Sequence, residues 1–225
     1  MLPQRHAPRD GPTRGAGLTD YRRRVGLVEE IAQHSDFWSA ATQHEFLDAV
    51  REGRIPAEAF DTWLVQDAQF VTDLLKFQGR LLARAPRKAQ SVLAGGAVAA
   101  ANELDWFERQ ASARGLDLAA PPLAATADYA ALLQRLDAAP YPVAVAALWV
   151  MERVYLKSWT HAASGAGPYQ DFVEHWTTPE FVDYVEALEA LVEQEPDPTM
   201  AAQIRTVCDE VLVQERQFWD AALTP

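Results

Sequence analysis

The apolar positions of this chain recur at intervals of three and four, the mark of helices that bury one face. The longest such run follows Pro56, reads AEAFDTWLVQDAQFVTDLLKFQGRLLARA, and stops at Ala85 before Pro86. Proline suits a first helical turn, where its missing N–H has no partner to lose, and it blocks continuation at the far end. A second run, PYPVAVAALWVMERVYLKSWTH from Pro140 to His161, opens on two prolines and closes toward Gly165 and Gly167. The same periodicity predicts helices over about 19–33, after a cap at Asp36, and over 44–51, 89–114, 128–136, 169–175, 179–193 and 198–222. The segment LDLAAPPLAATA reads as a loop. No strand-like alternation intervenes and the breaks are short, as helix–helix turns are. The pattern predicts an all-α chain with one helical domain over residues 19–225, packed around a single core. Residues 1–18, rich in Pro, Gly and Arg, have little to bury and are expected to form a disordered tail.

Composition narrows the function classes. The chain has 225 residues, 49% of them hydrophobic, enough for one sizeable core. Its net charge of -12 argues against a nucleic-acid partner, whose phosphates it would repel. The tail arginines, with Arg22, Arg23 and Arg24, are the one basic stretch, and a solvated tail is the simpler reading of them. A single cysteine, Cys208, excludes an intrachain disulfide and fits a reducing compartment. No apolar run approaches the roughly 18–20 residues that a membrane helix needs. The N-terminus lacks the apolar core of a secretion signal. The expectation is a cytoplasmic protein with no membrane partner.

Candidate chemistry comes from acids set among aromatic rings at helical spacing. Glu152 has Trp149 three residues before it, Tyr155 three after and Trp159 seven after. Asp67 has Trp63 and Phe70 at offsets of four and three, Glu215 has Phe218 and Trp219, and Glu103 has Trp106 and Phe107. Each acid, taken alone, also fits the border of a buried stripe. Glu103 has the weakest claim, because Asp105 and Glu108 continue an acidic, solvated face. If the four faces converge, they form a ring-lined cavity for a flat, nitrogen-containing ligand, with carboxylates accepting its N–H groups. Crowded acids in a poorly hydrated site also gain raised pKa values, which provides a proton donor near neutral pH. The five histidines show no metal spacing, and no E-x-x-H pair of the di-iron type occurs, so neither metal nor cofactor is expected.

Five stretches in order carry a family resemblance. They are FWSAATQHEFLDAVREGRIPAEAFDTWLVQD, ELDWFERQASARGLDL, ALWVMERVYLKSW, YQDFVEHWTTPEF and QERQFWDAA. Together they resemble the TenA / thiaminase II family over nearly everything from about residue 34 onward. The resemblance implies a haem-oxygenase-like helical bundle, a homo-oligomer (dimer or tetramer), and hydrolysis of aminopyrimidines derived from degraded thiamine. It places Asp67 as the pyrimidine-binding aspartate, and Phe70 and Trp176 at ring positions often filled by tyrosine. It also matches Tyr155, Tyr129 and the proton-transfer acid Glu215. The family's nucleophilic cysteine is replaced by Met151, which cannot form the thiolate adduct, and Glu152 follows it. That arrangement resembles the cysteine-lacking branch named for its glutamate, associated with pyrimidine salvage and amide cleavage of N-formylaminopyrimidine. The catalytic pair is then Glu215 and Glu152, acting through water. Two other outcomes stay open: a non-catalytic pyrimidine-binding protein, and a haem-oxygenase-like redox enzyme.

Overall fold

The computed structural model describes residues 26–34, 36–193 and 198–224. Those residues form ten α-helices and no strand. The first six are α1 (Leu27–His34), α2 (Asp36–Thr42), α3 (Glu45–Arg51), α4 (Ala57–Arg84), α5 (Gln90–Arg114) and α6 (Ala124–Leu136). Then come α7 (Tyr141–Ala162), a 3-10 turn at Gly167–Tyr169, α8 (Gln170–His175), α9 (Pro179–Val192) and α10 (Pro198–Leu223). The expected tail over 1–18, and the helical start expected near residue 19, lie outside the described residues.

Helix α7 is the centre of the bundle. From Val143 to Met151 every side chain is buried, and α2, α3, α4, α9 and α10 all pack against it. A helix surrounded on every side needs no polar face, which explains why VAVAALWVM carries no charge. Helix α4 pairs with α5 and α6 and presents its other face to α7 and α10. Between them lies a slab of rings with Trp63 at its hub. Its ring centroid lies 6.0 Å from Phe46, 5.3 Å from Phe60, 5.0 Å from Trp159 and 6.2 Å from Trp219.

Local sequence sets most helix ends. His44 caps α3 by accepting the Phe46 N–H on Nδ1, and its Nε2 lies 2.9 Å from Asp220 of α10. Gly115 ends α5 at φ 70°, a left-handed conformation that costs glycine little. One boundary differs from the expectation. Helix α6 starts at Ala124, not at Asp128, taking in residues read as loop. The reason is tertiary: the buried Gln66 side chain on α4 accepts the Leu123 N–H and the Thr126 hydroxyl through Oε1, at 2.8 and 2.6 Å. These bonds fix the helix entry one turn early, and the alanines that follow propagate it readily.

Candidate active site

A cavity of about 590 Å³ lies between α4, α5, α7, α9, α10 and the turn after α8. Five residues of α4 face it: Asp67, Phe70, Val71, Leu74 and Gln78. Steps of three and four keep these residues within one sector of the helix, so a single stripe supplies the whole wall. Helix α7 contributes Met151, Glu152 and Tyr155, α10 contributes Glu215, α5 contributes Glu103, and His175 and Trp176 come from the end of α8. Asp67, Glu103, Glu152 and Glu215 therefore share one space. Six of the seven residues singled out from sequence line it, and the seventh, Tyr129, reaches it through Glu215.

The acids have specific partners. The Tyr155 hydroxyl donates to Asp67 Oδ2 at 2.8 Å, and the Tyr129 hydroxyl donates to Glu215 Oε1 at 2.5 Å. Gln78 Nε2 donates to Glu152 Oε1 at 3.3 Å. Burial raises the Asp67 pKa well above its ordinary value; the Tyr155 hydrogen bond opposes this, and Glu103, Glu215 and Glu152 add to it. Burial also lifts Glu152, with help from Glu215 and Glu103, to about 8. Glu215 is lifted by burial to about 7 against the pull of Tyr129. Burial pushes both phenols up as well, so Tyr129 and Tyr155 remain hydrogen-bond donors. The cavity thus holds neutral acids beside a carboxylate near its midpoint at neutral pH, the arrangement that proton transfer requires.

Rings supply the remaining shape. Phe70 packs on Tyr129 with centroids 4.5 Å apart, and Trp176 packs on Trp159 at 4.6 Å. Trp149 and Trp159 do not line the cavity, although both flank Glu152 in the sequence. Trp149 sits about 60° around α7 from Glu152 and is buried among neighbouring helices. Trp159 points the same way as Glu152 but lies roughly 10 Å further along the axis, behind Trp176.

Glu103 corrects the expectation of a solvated face. Asp105 and Glu108 are exposed as read, but Glu103 turns inward and is half-buried. Its Oε1 accepts the Trp176 indole N–H at 2.7 Å, and its Oε2 lies 2.7 Å from His175 Nε2. His175 in turn stacks on Trp106 with centroids 4.2 Å apart and planes 6° from parallel. Sequence reasoning also passed over Gln78 and Tyr184. Gln78 was within reach, since it continues the Asp67–Leu74 stripe by one turn; Tyr184, on α9, carries no local signal. Met151 lines the cavity where the nucleophilic cysteine is expected. Cys208 is buried in α10 away from it, its Sγ 4.0 Å from the Ala146 carbonyl, and burial raises its thiol pKa. Among the described residues no three of His, Cys, Asp or Glu form a group that could hold a metal ion. Nor is any helix there long and apolar enough to cross a membrane.

A helical bundle enclosing a carboxylate-lined, ring-walled cavity has close relatives. The TENA/THI-4/PQQC family model matches residues 31–224, and the chain belongs to that family. A "probable bifunctional TENA-E protein" of Glycine max is 27% identical over 215 residues, covering 88% of this chain and 94% of that protein. A TenA homologue from Pyrococcus furiosus superposes with a TM-score of 0.82 at 29% identity, covering 87% of this chain and 99% of that one. A domain with a heme oxygenase-like fold from Shewanella denitrificans, 16% identical, superposes with a TM-score of 0.69 over 87% of this chain and 90% of its own. The fold is the haem-oxygenase-like bundle expected from the sequence.

Proposed function

We propose that the protein is a thiamine-related C–N hydrolase that acts on an aminopyrimidine amide, N-formylaminopyrimidine being the simplest case, without a cysteine nucleophile. The observation that carries this reading is the pair Glu215 and Glu152, with pKa values near 7 and near 8, in one cavity with Asp67. Asp67, held protonated by burial, donates its O–H to a ring nitrogen and accepts the adjacent amino N–H on its other oxygen. Tyr155 orients it. Phe70 and Trp176 stack on the ring faces.

Glu215 is the base. Its carboxylate takes a proton from water as the water oxygen adds to the amide carbonyl carbon. The tetrahedral intermediate then expels the amine as the C–N bond breaks, and Glu152, still protonated near pH 7, gives its proton to the departing nitrogen. The products are a carboxylic acid and the free aminopyrimidine. Water serves as nucleophile because Met151, with no ionisable thiol, fills the place of the cysteine.

The test is mass-spectrometric turnover of N-formylaminopyrimidine, aminopyrimidine and thiamine by the purified protein and by Glu215→Gln. Release of aminopyrimidine by the wild type, lost in the variant, supports the reading. Met151 also favours a second reading, a pyrimidine-binding protein without catalysis. Thermal stabilisation by a pyrimidine with no product from any of the three would select it.

A further inference from the structure

The cavity is larger than its chemistry at the inner end requires. At about 590 Å³ it falls in the range of roughly 300–1,000 Å³ that takes a drug-sized ligand, and one substituted pyrimidine fills only part of it. The walls grade from closed to open. Asp67, Phe70, Met151 and Glu215 are buried, whereas Ser91, Gly95, Ala99, Glu180 and Asp183 are exposed, so the cavity opens between α5 and α9. The α5 side of this outer part is built from small side chains, and Phe181 and Ala187 of α9 face them. No lysine or arginine lines the cavity among the described residues.

Two buried polar atoms of the described lining have no partner, Gln78 Oε1 and the Tyr184 hydroxyl. The Tyr184 hydroxyl is buried, makes no hydrogen bond, and lines the cavity. Its phenol lies against Gly96, where a Cβ would collide with the hydroxyl oxygen, so this glycine is what admits the ring. Tyr184 comes from α9, on the side where the cavity opens, and lines the same cavity as Glu152. A buried donor without an acceptor is destabilising, and a carbonyl oxygen bound at this point would satisfy it.

We propose that the outer part of the cavity is an acyl subsite. The substrate is then an N-acyl aminopyrimidine whose acyl group is longer than formyl, carries no negative charge, and accepts the Tyr184 hydroxyl on its carbonyl oxygen. The proposal rests on the hydrolase reading above and adds the identity of the group removed. Small residues leave the acyl chain room, the apolar wall desolvates it, and the surrounding carboxylates repel an anionic one.

The test compares N-formyl, N-butyryl and N-succinyl aminopyrimidine as substrates for the full-length protein and for Gly95→Leu. A Cβ at Gly95 meets no atom within 4 Å, so a leucine can start from the α5 wall without a clash at its first carbon. Wild-type kcat/KM for butyryl should equal or exceed that for formyl, with succinyl about 100-fold lower or worse. Gly95→Leu should keep formyl turnover, which also reports correct folding, and lower butyryl turnover about 10-fold or more. Turnover of formyl with none of butyryl by the wild type overturns the subsite and leaves the hydrolase reading intact. Succinyl turned over as well as butyryl overturns it too. No turnover of any of the three overturns the hydrolase reading and the subsite together.

Discussion

Replacing Glu152 by glutamine should make the protein more stable and less active, with a stability gain that grows with pH. In the wild type the Glu152 carboxyl moves from an ordinary 4.5 to about 8 on folding, chiefly because burial penalises its charge. The native state therefore holds this proton more tightly than the unfolded chain, and stability falls as pH rises. The penalty is absent below the unfolded value, grows between it and the folded value, and is complete above about 8. At 1.36 kcal/mol per pH unit it amounts to about 1 kcal/mol near pH 5, about 3 near pH 7 and about 5 near pH 9. Water entering the open side of the cavity screens part of this, so about half that rise, roughly 2 kcal/mol from pH 5 to pH 9, is the minimum expected. Glutamine matches the neutral acid in shape, can still accept the Gln78 N–H, and does not titrate. Asp67 and Glu215 titrate in both proteins, so their contributions largely cancel in the difference. The assay is urea unfolding of wild type and variant near pH 5, 7 and 9, with stability extrapolated to water. A difference in unfolding free energy that stays flat across this range would refute the assignment of Glu152 as a buried, proton-retaining acid. In the same samples amide turnover should drop, since the leaving amine loses its donor.

The remaining predictions concern chemistry and packing. Glu215→Gln should lower amide turnover by about 10²–10⁴-fold while ligand-induced thermal stabilisation persists. The pH profile of kcat/KM should be bell-shaped, rising as Glu215 deprotonates near 7 and falling as Glu152 deprotonates near 8; steady-state rates from about pH 5 to 10 would show it. On the proposed binding mode, Asp67→Leu removes both hydrogen bonds to the pyrimidine edge and should weaken binding at least 10-fold in calorimetry, because the ligand's polar edge would be left unpaired. Trp159→Ala empties a fully buried site between Trp63 and Trp176 and should cost about 3–5 kcal/mol in urea unfolding, the far-UV spectrum remaining helical.

Much of this protein follows from short-range pattern. The order of helices, the proline entries of α4 and α7, and the left-handed glycine after α5 depend on neighbours a few residues apart, so periodicity exposes them. So does the α4 stripe bearing Asp67 and Phe70, because residues on one helix turn must share a face. The α6 entry could not be read this way, since it hangs on a glutamine nearly sixty positions earlier. Nor could the inward turn of Glu103, whose partners Trp176 and His175 arrive from the end of another helix more than seventy residues on. The same holds for the exclusion of Trp149 from the cavity: spacing gives its angle on α7 but not which sectors neighbouring helices cover. The raised pKa values belong wholly to the tertiary structure. Desolvation sums over every atom that displaces water from a carboxylate, and those atoms come from helices the local sequence does not name. Local pattern sets which helices form and which of their faces carry acids and rings. Only their packing decided that four such faces close on one cavity, and that burial there raises the pKa of Asp67, Glu152 and Glu215.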